Sequence, residues 1–194
     1  MKVIAFNGSP RKDGNTSILI GYVLEELKKA GISTELINLA GKKLHGCIAC
    51  YRCAGNQDRQ CAVKDDDLNG CIDRILEADG IILGSPTYFT DVSTEIKALI
   101  DRVGLVAKVN GDMLKRKVGA AVIAVRRAGS LHTFATINNF FLINQMIVPG
   151  SNYWNMGIGR NKGEVENDQE GIMTMKVLGQ NMAWLLERLD PGKS

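Results

Sequence analysis

The feature that most constrains the fold is the direct succession of an apolar strand, a polar loop and an amphipathic helix at the start of the chain. Residues 3–6 form the apolar run, and apolar residues recur at helical spacing from residue 18 to residue 30, before Gly31. This pattern predicts a buried parallel strand followed by a helix that ends at the glycine. In that geometry the loop N–H groups and the positive end of the helix dipole favour an anion.

The loop between these two elements, residues 7–17, is rich in hydrogen-bond donors. The side chains able to donate are Ser9, Arg11, Asn15, Thr16 and Ser17. The loop lacks the Gly-Lys-Ser/Thr ending of a P-loop and the Gly-x-Gly-x-x-Gly spacing of a dinucleotide site. We therefore predict a cradle for a terminal monoester phosphate; the alternative is an ordinary polar loop that caps the helix.

Composition limits the class of protein to a compact cytoplasmic one. At 194 residues the chain predicts a single domain spanning residues 1–194. The formal charge of +3 is small and scattered, so a nucleic-acid partner is not expected. A membrane partner is not expected either, because no apolar run approaches the roughly 20 residues that a membrane-spanning helix needs. Five cysteines without an export signal predict reduced thiols or metal ligands in the cytoplasm.

Strand-like and helix-like segments alternate along the rest of the chain. Strands are predicted at residues 3–6, 33–38, 80–84, 117–125 and 146–148, and helices at 18–30, 65–78, after Asp91 or Ser93, at 130–145 and at 171–189. A Gly- and Asn-rich loop is expected at 150–169. This alternation predicts an α/β fold with a doubly wound, five-stranded parallel sheet between two helical layers. The loops after its first, third and fourth strands should converge at one sheet edge.

Two of these converging loops carry further candidate ligand-binding residues. Tyr88 and Phe89 follow the third strand, where they could stack on a flat heteroaromatic ligand or simply pack on the next helix. Arg126 and Arg127 follow the fourth strand and could supply positive charge to a ligand carbonyl or phosphate. The alternative for the arginine pair is a solvated surface.

A second distinctive feature is the cysteine loop, residues 47–61. Its cysteines follow the pattern Cys-x2-Cys-x2-Cys-x7-Cys, at Cys47, Cys50, Cys53 and Cys61. Cysteines at steps of three allow one compact loop to wrap a [4Fe–4S] cluster, whereas structural zinc usually uses two separated Cys-x2-Cys pairs. Thiols without a metal are the further alternative. Cys71, which follows on a predicted apolar helix face, is expected to be a core thiol.

Together these motifs resemble the NADPH-dependent FMN reductase family of flavodoxin-like proteins. The resemblance rests on Gly-Ser-Pro-Arg-x-x-Gly-Asn-Thr after the first strand and on residues 84–89 followed by Lys97, Asp101 and Arg102. The cysteine pattern, the Lys-Asp-Asp-Asp run at 64–67 and residues 78–82 are similar to the iron–sulfur flavoprotein subfamily. The gap before Cys61 is at the long end for that subfamily.

The resemblance implies a sheet order of 2-1-3-4-5, FMN as cofactor, and a homodimer or homotetramer with flavin near the interface. By motif, the five donor side chains of the first loop would hold the FMN phosphate. Pro86, Thr87, Tyr88 and Phe89 would line the isoalloxazine, and the four loop cysteines would ligate a cluster. The 150–169 loop could fold over a neighbouring subunit's flavin or be an ordinary surface excursion.

Three functions follow from this sequence. The first is an FMN-dependent oxidoreductase that passes electrons from NAD(P)H to a quinone, a flavin or a similar acceptor. It needs no protein nucleophile, and backbone N–H groups, Arg126 or Arg127 would stabilise negative charge near the flavin carbonyl. The second is an electron carrier that takes electrons from ferredoxin through a [4Fe–4S] cluster to FMN. The third is a flavin-binding regulatory module without turnover.

Overall fold

The first four strands form where the apolar runs predict them. A computed structural model describes residues 1–189, so residues 190–194, the end of the predicted domain, lie outside the described residues. The strands are β1 (Lys2–Asn7), β2 (Ser33–Asn38), β3 (Gly80–Pro86), β4 (Val118–Val125) and β5 (Met156–Ile158). All paired strands are parallel and the order is β2-β1-β3-β4-β5, which confirms the predicted order.

Helices cover both faces of this sheet, as expected for a doubly wound fold. They are α1 (Asn15–Lys29), α2 (Arg52–Asn56), α3 (Leu68–Glu77), α4 (Thr94–Val109), α5 (Ser130–Ile143) and α6 (Gln169–Leu189), with a 3-10 helix at Glu164–Asn167. Alternate residues of the central strands divide the core in two. One half packs against α1 and α6, and the other packs against α3, α4 and α5.

The prediction for the fifth strand was wrong. Residues 146–148 make only an isolated parallel bridge, between Ile147 and Val118, while β5 forms inside the predicted 150–169 loop and pairs with the far end of β4. Pro149 separates the two contacts, and a proline has no N–H to donate to a strand partner. The edge of β4 is therefore covered in two pieces, which brings the residues after β5 to the carboxyl edge of the sheet.

The first helix ends in a capping motif and packs closely on the sheet near its start. Gly31 adopts a φ of 73°, and the N–H groups of Gly31 and Ile32 donate to the carbonyls of Lys28 and Leu27, a Schellman motif. Near the other end, a Cβ on Gly84 of β3 would lie 2.4 Å from Ile20 Cδ1. A side chain at residue 84 would displace Ile20 and crowd Thr16, so the glycine lets the first half of α1 pack closely on β3.

The cysteine loop also departs from expectation, because it contains the short helix α2.

Among residues 1–189, none of the helices combines the length and apolar character needed to cross a bilayer.

Candidate functional site

The first candidate site is a cavity of about 140 Å³ at the carboxyl ends of the strands. It is lined by Ser9, Arg11, Asn15, Thr16, Pro86, Thr87, Tyr88, Ala124, Arg126, Gly159 and Arg160. Loops after β1, β3 and β4 thus converge as the topology rule predicts. The loop after β5 converges with them, which the sequence did not indicate because the strand itself was misplaced.

The N-terminus of α1 opens into this cavity with its backbone donors uncapped. Gly14 is the N-cap residue, so no side chain satisfies the first N–H groups of the helix, and its first turn holds no acidic residue. The preceding loop is ordered by its own bonds: the Arg11 N–H donates to Ser9 Oγ at 3.1 Å, and the Ser9 N–H donates to Asn7 Oδ1 at 3.0 Å. Such a terminus favours an anion through both its donors and its dipole.

Asn15 has partners that the sequence did not indicate. Its Nδ2 donates to the Asn161 carbonyl at 2.9 Å and its Oδ1 accepts the Gly163 N–H at 2.9 Å. Lys162 and Asp13 form an ion pair beside these bonds. We call residues 159–164 the strap, because they tie the chain after β5 to the start of α1.

Three arginines supply the positive charge of the cavity. Arg11, Arg126 and Arg160 all line it and are otherwise exposed to solvent. The strap presents Arg160 because Glu164 accepts the backbone N–H groups of Arg160 and Asn161, both at 2.8 Å. The Asn161 N–H and side chain, followed by the Arg160 N–H, lower the pKa of the Glu164 carboxyl below its ordinary value.

The loop after β3 makes a tight turn beside the cavity. Tyr88 and Asp91 exchange backbone hydrogen bonds of 2.9 and 3.0 Å, and the central residues Phe89 and Thr90 adopt φ values of 47° and 66°. Left-handed backbone at bulky and β-branched residues is strained, and such strain concentrates at functional sites. Burial raises the pKa of Asp91, but the Val92 N–H and the Thr136 hydroxyl outweigh it and hold the pKa low.

Three predicted residues do not line the cavity. Ser17 lies two positions beyond Asn15 on α1, where the helix has turned its side chain to another direction. Phe89 stands at the tip of the turn with a relative exposure of 103%, so it does not cover the cavity of its own chain. Arg127 is exposed beyond Arg126. The remaining eight predicted ligand-binding residues are brought together.

The second candidate site is the cysteine loop, whose four cysteines all line one narrow cavity. Cys53 and Cys61 form its buried wall, whereas Cys47 and Cys50 are exposed at its rim. The loop backbone is left-handed at four non-glycine residues: Ala49, Tyr51, Gln57 and Arg59. This concentration of strained residues in one loop is consistent with a binding function.

A buried ion pair anchors this loop to the rest of the fold. Arg102 on α4 and Asp66 before α3 pair in a bidentate manner, and their side chains are 1% and 0% exposed. Arg102 also donates from Nη1 to the His45 carbonyl at 3.3 Å and from Nη2 to Cys61 Sγ at 3.2 Å. Burial raises the pKa of the Asp66 carboxyl, but bonds from Arg102 and the Leu68 N–H outweigh it and lower the pKa.

The thiols of the loop have different electrostatic surroundings. The backbone N–H and the side chain of Arg52 lower the pKa of Cys50, whereas burial and the neighbouring Cys61 raise the pKa of Cys53. Within residues 1–189, no group of three or more His, Cys, Asp or Glu side chains forms a site for a single metal ion.

The fifth cysteine lies outside this site. Cys71 on α3 is 3% exposed within the core, as its apolar helix face predicts. Burial raises the pKa of its thiol to about 11.

Fold and site together define a class of protein. A parallel sheet in the order 2-1-3-4-5, with an anion cradle at its first strand–helix turn, is the arrangement of the flavodoxin-like proteins. The family model for NADPH-dependent FMN reductases matches residues 1–161, a range that includes the cradle, the strap's Arg160 and the cysteine loop. The chain belongs to this flavoprotein family.

Relatives with similar sequences carry a more specific name. An iron-sulfur flavoprotein of Methanocaldococcus jannaschii is 42% identical over 190 residues, which cover 94% of this chain and 96% of the relative. An iron-sulfur flavoprotein of Methanosarcina thermophila is 33% identical over 195 residues, covering 100% of this chain and 99% of the relative. The resemblance to the iron–sulfur flavoprotein subfamily is thereby confirmed.

Solved structures share the fold at lower sequence identity. The crystal structure of RosB with a bound 8-demethyl-8-formylriboflavin-5'-phosphate intermediate has a TM-score of 0.78 and 19% identity, with coverage of 100% of this chain and 82% of that one. The NAD(P)H:quinone oxidoreductase from Methanothermobacter marburgensis has a TM-score of 0.70 and 15% identity, with coverage of 94% and 96%. At these identities the likeness establishes the fold.

Proposed function

We propose that this chain is an FMN-dependent oxidoreductase whose cradle holds the phosphate of FMN. The observation that carries the proposal is the convergence of the uncapped α1 N-terminus with Arg11, Arg126 and Arg160 on one cavity. A monoester phosphate matches both features, because it carries close to two negative charges and three acceptor oxygens. Ser9 contributes its hydroxyl proton, since its oxygen already accepts the Arg11 N–H.

The isoalloxazine ring would lie against the turn after β3. Pro86, Thr87 and Tyr88 line the cavity there, and the Thr87 and Tyr88 N–H groups donate to the Ala124 and Asp91 carbonyls. Because those two backbone donors are in use, Arg126 is the group proposed to stabilise negative charge near the flavin carbonyl. Bound FMN would supply the redox chemistry, accepting hydride from a reduced nicotinamide and passing electrons to a quinone or a flavin.

Comparing FMN with riboflavin tests the cradle directly, because the two differ by the phosphate. We expect wild-type protein to bind FMN at least about 100-fold more tightly than riboflavin in a flavin-fluorescence titration. Arg160→Gln should weaken FMN binding roughly tenfold and leave riboflavin binding unchanged. Arg127→Gln is the matched control, since it removes an exposed arginine outside the cavity. Equal affinities of the wild type for FMN and riboflavin would overturn the proposal.

A second candidate function is electron transfer from ferredoxin to FMN through a [4Fe–4S] cluster. The observation that favours it is the set of four thiols on one cavity, together with the family's iron-sulfur flavoprotein relatives. The donor set fits a cluster, because it offers four thiols on one compact loop. Cys47, Cys50, Cys53 and Cys61 would hold the cluster, which would supply one-electron transfer.

Two assays on anaerobically purified protein separate these functions. Iron and acid-labile sulfide near four per chain, with flavin reduction by reduced ferredoxin, would support the second. Oxidation of NADH or NADPH with a quinone acceptor, without iron, would support the first. Bound FMN with neither activity would support the flavin-binding regulatory module.

The assembly and setting of the chain are further parts of the proposal. Phe89, Leu142 and Ile143 are apolar and exposed, which supports a homodimer or homotetramer. Sedimentation velocity measures the assembly. A cytoplasmic location is proposed because all five cysteines are free thiols, which a reducing compartment maintains.

A further inference from the structure

The buried Arg102 carries a feature that a purely structural ion pair would not need. Each terminal nitrogen of its guanidinium makes one bond to Asp66 and one bond elsewhere. Nη1 reaches the His45 carbonyl, and Nη2 reaches Cys61 Sγ at 3.2 Å. The carboxylate therefore fixes the plane of the guanidinium, and the remaining Nη2 proton is directed at a sulfur atom.

The position of Arg102 also matters, because the residue lines the same cavity as the four cysteines. At 1% exposure the guanidinium is shielded from solvent, so its hydrogen bond to sulfur is not in competition with water. Asp66 is equally shielded; it also accepts the Leu68 N–H at 3.2 Å, and His45 Nε2 lies 3.4 Å from it. Burying an ion pair at this depth costs desolvation free energy. Replacing both members of such a pair by apolar residues often leaves the free energy of unfolding unchanged or raises it.

We propose that Arg102, oriented by Asp66, is a positioning residue that directs Cys61 into the cluster site and raises the reduction potential of the cluster bound there. This inference rests on the cluster proposed above. Hydrogen bonds to ligand sulfur atoms are one of the means by which a protein sets a cluster's potential. An N–H donor withdraws electron density from the thiolate and stabilises the more negative, reduced form.

Neither partner of this pair is a cysteine, and they lie 36 residues apart in the chain. The proposal therefore assigns a redox role to residues that the cysteine spacing does not include. Cys61 is the cysteine separated from the others by seven residues. Asn69 holds the Cys61 backbone through two hydrogen bonds, of 2.8 and 3.0 Å, and Arg102 on helix α4 adds a contact to the sulfur atom itself.

Two variants test the proposal. Arg102→Leu combined with Asp66→Val removes the hydrogen bond without leaving a buried charge unpaired. Arg102→Lys keeps one positive charge but cannot reproduce the planar fork. Lys108→Met is the control, because it removes an exposed cation from the same helix, one that pairs with Asp112. Each protein is reconstituted anaerobically and titrated potentiometrically with electron paramagnetic resonance, and its iron and FMN contents are measured.

We expect the one-electron equilibrium of the cluster in the double variant to move about tenfold toward the oxidised form, a fall of about 59 mV. Arg102→Lys should move it the same way by less, and Lys108→Met should leave it unchanged. If the double variant does not fold, the shift in Arg102→Lys decides the matter. A wild-type potential in variants that retain full iron would overturn the inference alone. Wild-type protein that takes up FMN but no iron would overturn the proposed cluster and this inference with it.

Discussion

The proposed phosphate cradle and the cysteine site are built by different means. The cradle uses backbone N–H groups and exposed arginines at the ends of rigid parallel strands, and four separate loops contribute its residues. The cysteine site uses a long connection with a strained backbone, and Arg102 and Asp66 buried outside that connection hold it in place. The cradle therefore depends on backbone donors and exposed charges at strand ends, whereas the cysteine site depends on buried side chains from outside its own loop.

This contrast predicts that the cysteine site is the more sensitive of the two to loss of a single side chain. Asp66→Ala should cost about 3–5 kcal/mol of unfolding free energy, because it leaves the Arg102 guanidinium buried without its counter-charge. Urea denaturation followed by circular dichroism measures the change. Asp101→Ala is the control: Asp101 pairs with Lys97 on the exposed surface of α4, and its loss should cost under about 1 kcal/mol.

Similar costs for Asp66→Ala and Asp101→Ala would show that the buried pair does not anchor the loop. The cysteine site would then not depend on buried side chains from outside its loop.

A backbone change is the corresponding test of the cradle. A Cβ on Gly159 would lie 2.7 Å from Val165 N and 2.8 Å from Asn15 Nδ2, so Gly159→Ala must displace the strap or the start of α1. We expect FMN affinity to fall roughly tenfold, since misplaced donors lose charge-assisted hydrogen bonds to phosphate. Flavin-fluorescence titration measures the affinity.

Gly21→Ala provides the control for this change. Gly21 lies in α1, and a Cβ there meets nothing within 4 Å, so the substitution should leave FMN affinity intact and raise stability by about 0.5–1 kcal/mol. An unchanged FMN affinity in Gly159→Ala would mean that the strap plays no part in the cradle.

The sequence predicts the cradle better than it predicts the strap, and the reason is physical. Strand, loop and helix at the start of the chain are encoded within about 30 residues, so their periodicity and donors are directly readable. β5 is only three residues long, and its composition carries no strand signal. It is a strand because it pairs with β4. The sequence therefore predicts for the 150–169 loop either a cover over a neighbouring subunit's flavin or a surface excursion, whereas its Arg160 lines the cavity of its own chain.

The sequence predicts that the four cysteines lie together, but it does not predict the residues that support them. The spacing of Cys47, Cys50 and Cys53 is a local pattern, whereas the contact of Arg102 with Cys61 joins residues 41 positions apart. The family resemblance includes Arg102 among its motif residues, but it does not indicate that Arg102 contacts Cys61. Local strain was equally hidden, since nothing in the composition of the loop requires left-handed backbone at Ala49 or Tyr51.

The smallest expected effect is the pH dependence of stability that Cys71 contributes. It distinguishes this core thiol from the thiols of the cysteine loop. Burial raises its pKa from 9.0 to about 11 in the folded chain. Its contribution to stability is therefore fully present below pH 9 and is lost as the pH rises toward 11, because only the unfolded state then releases the proton. At pH 10 the loss is about 1 kcal/mol.

Urea denaturation of wild-type protein and Cys71→Ala between pH 8 and pH 10.5 isolates this contribution. The absolute stability of the variant falls at every pH because a buried side chain is shortened, but other titrating groups are common to both proteins and cancel in the difference. We expect the stability difference between the two proteins to shrink as the pH rises above 9. A difference that stays constant would show that Cys71 ionises as readily in the folded chain as in the unfolded one. Cys71 would then have to be counted with the accessible thiols of the loop rather than with the core.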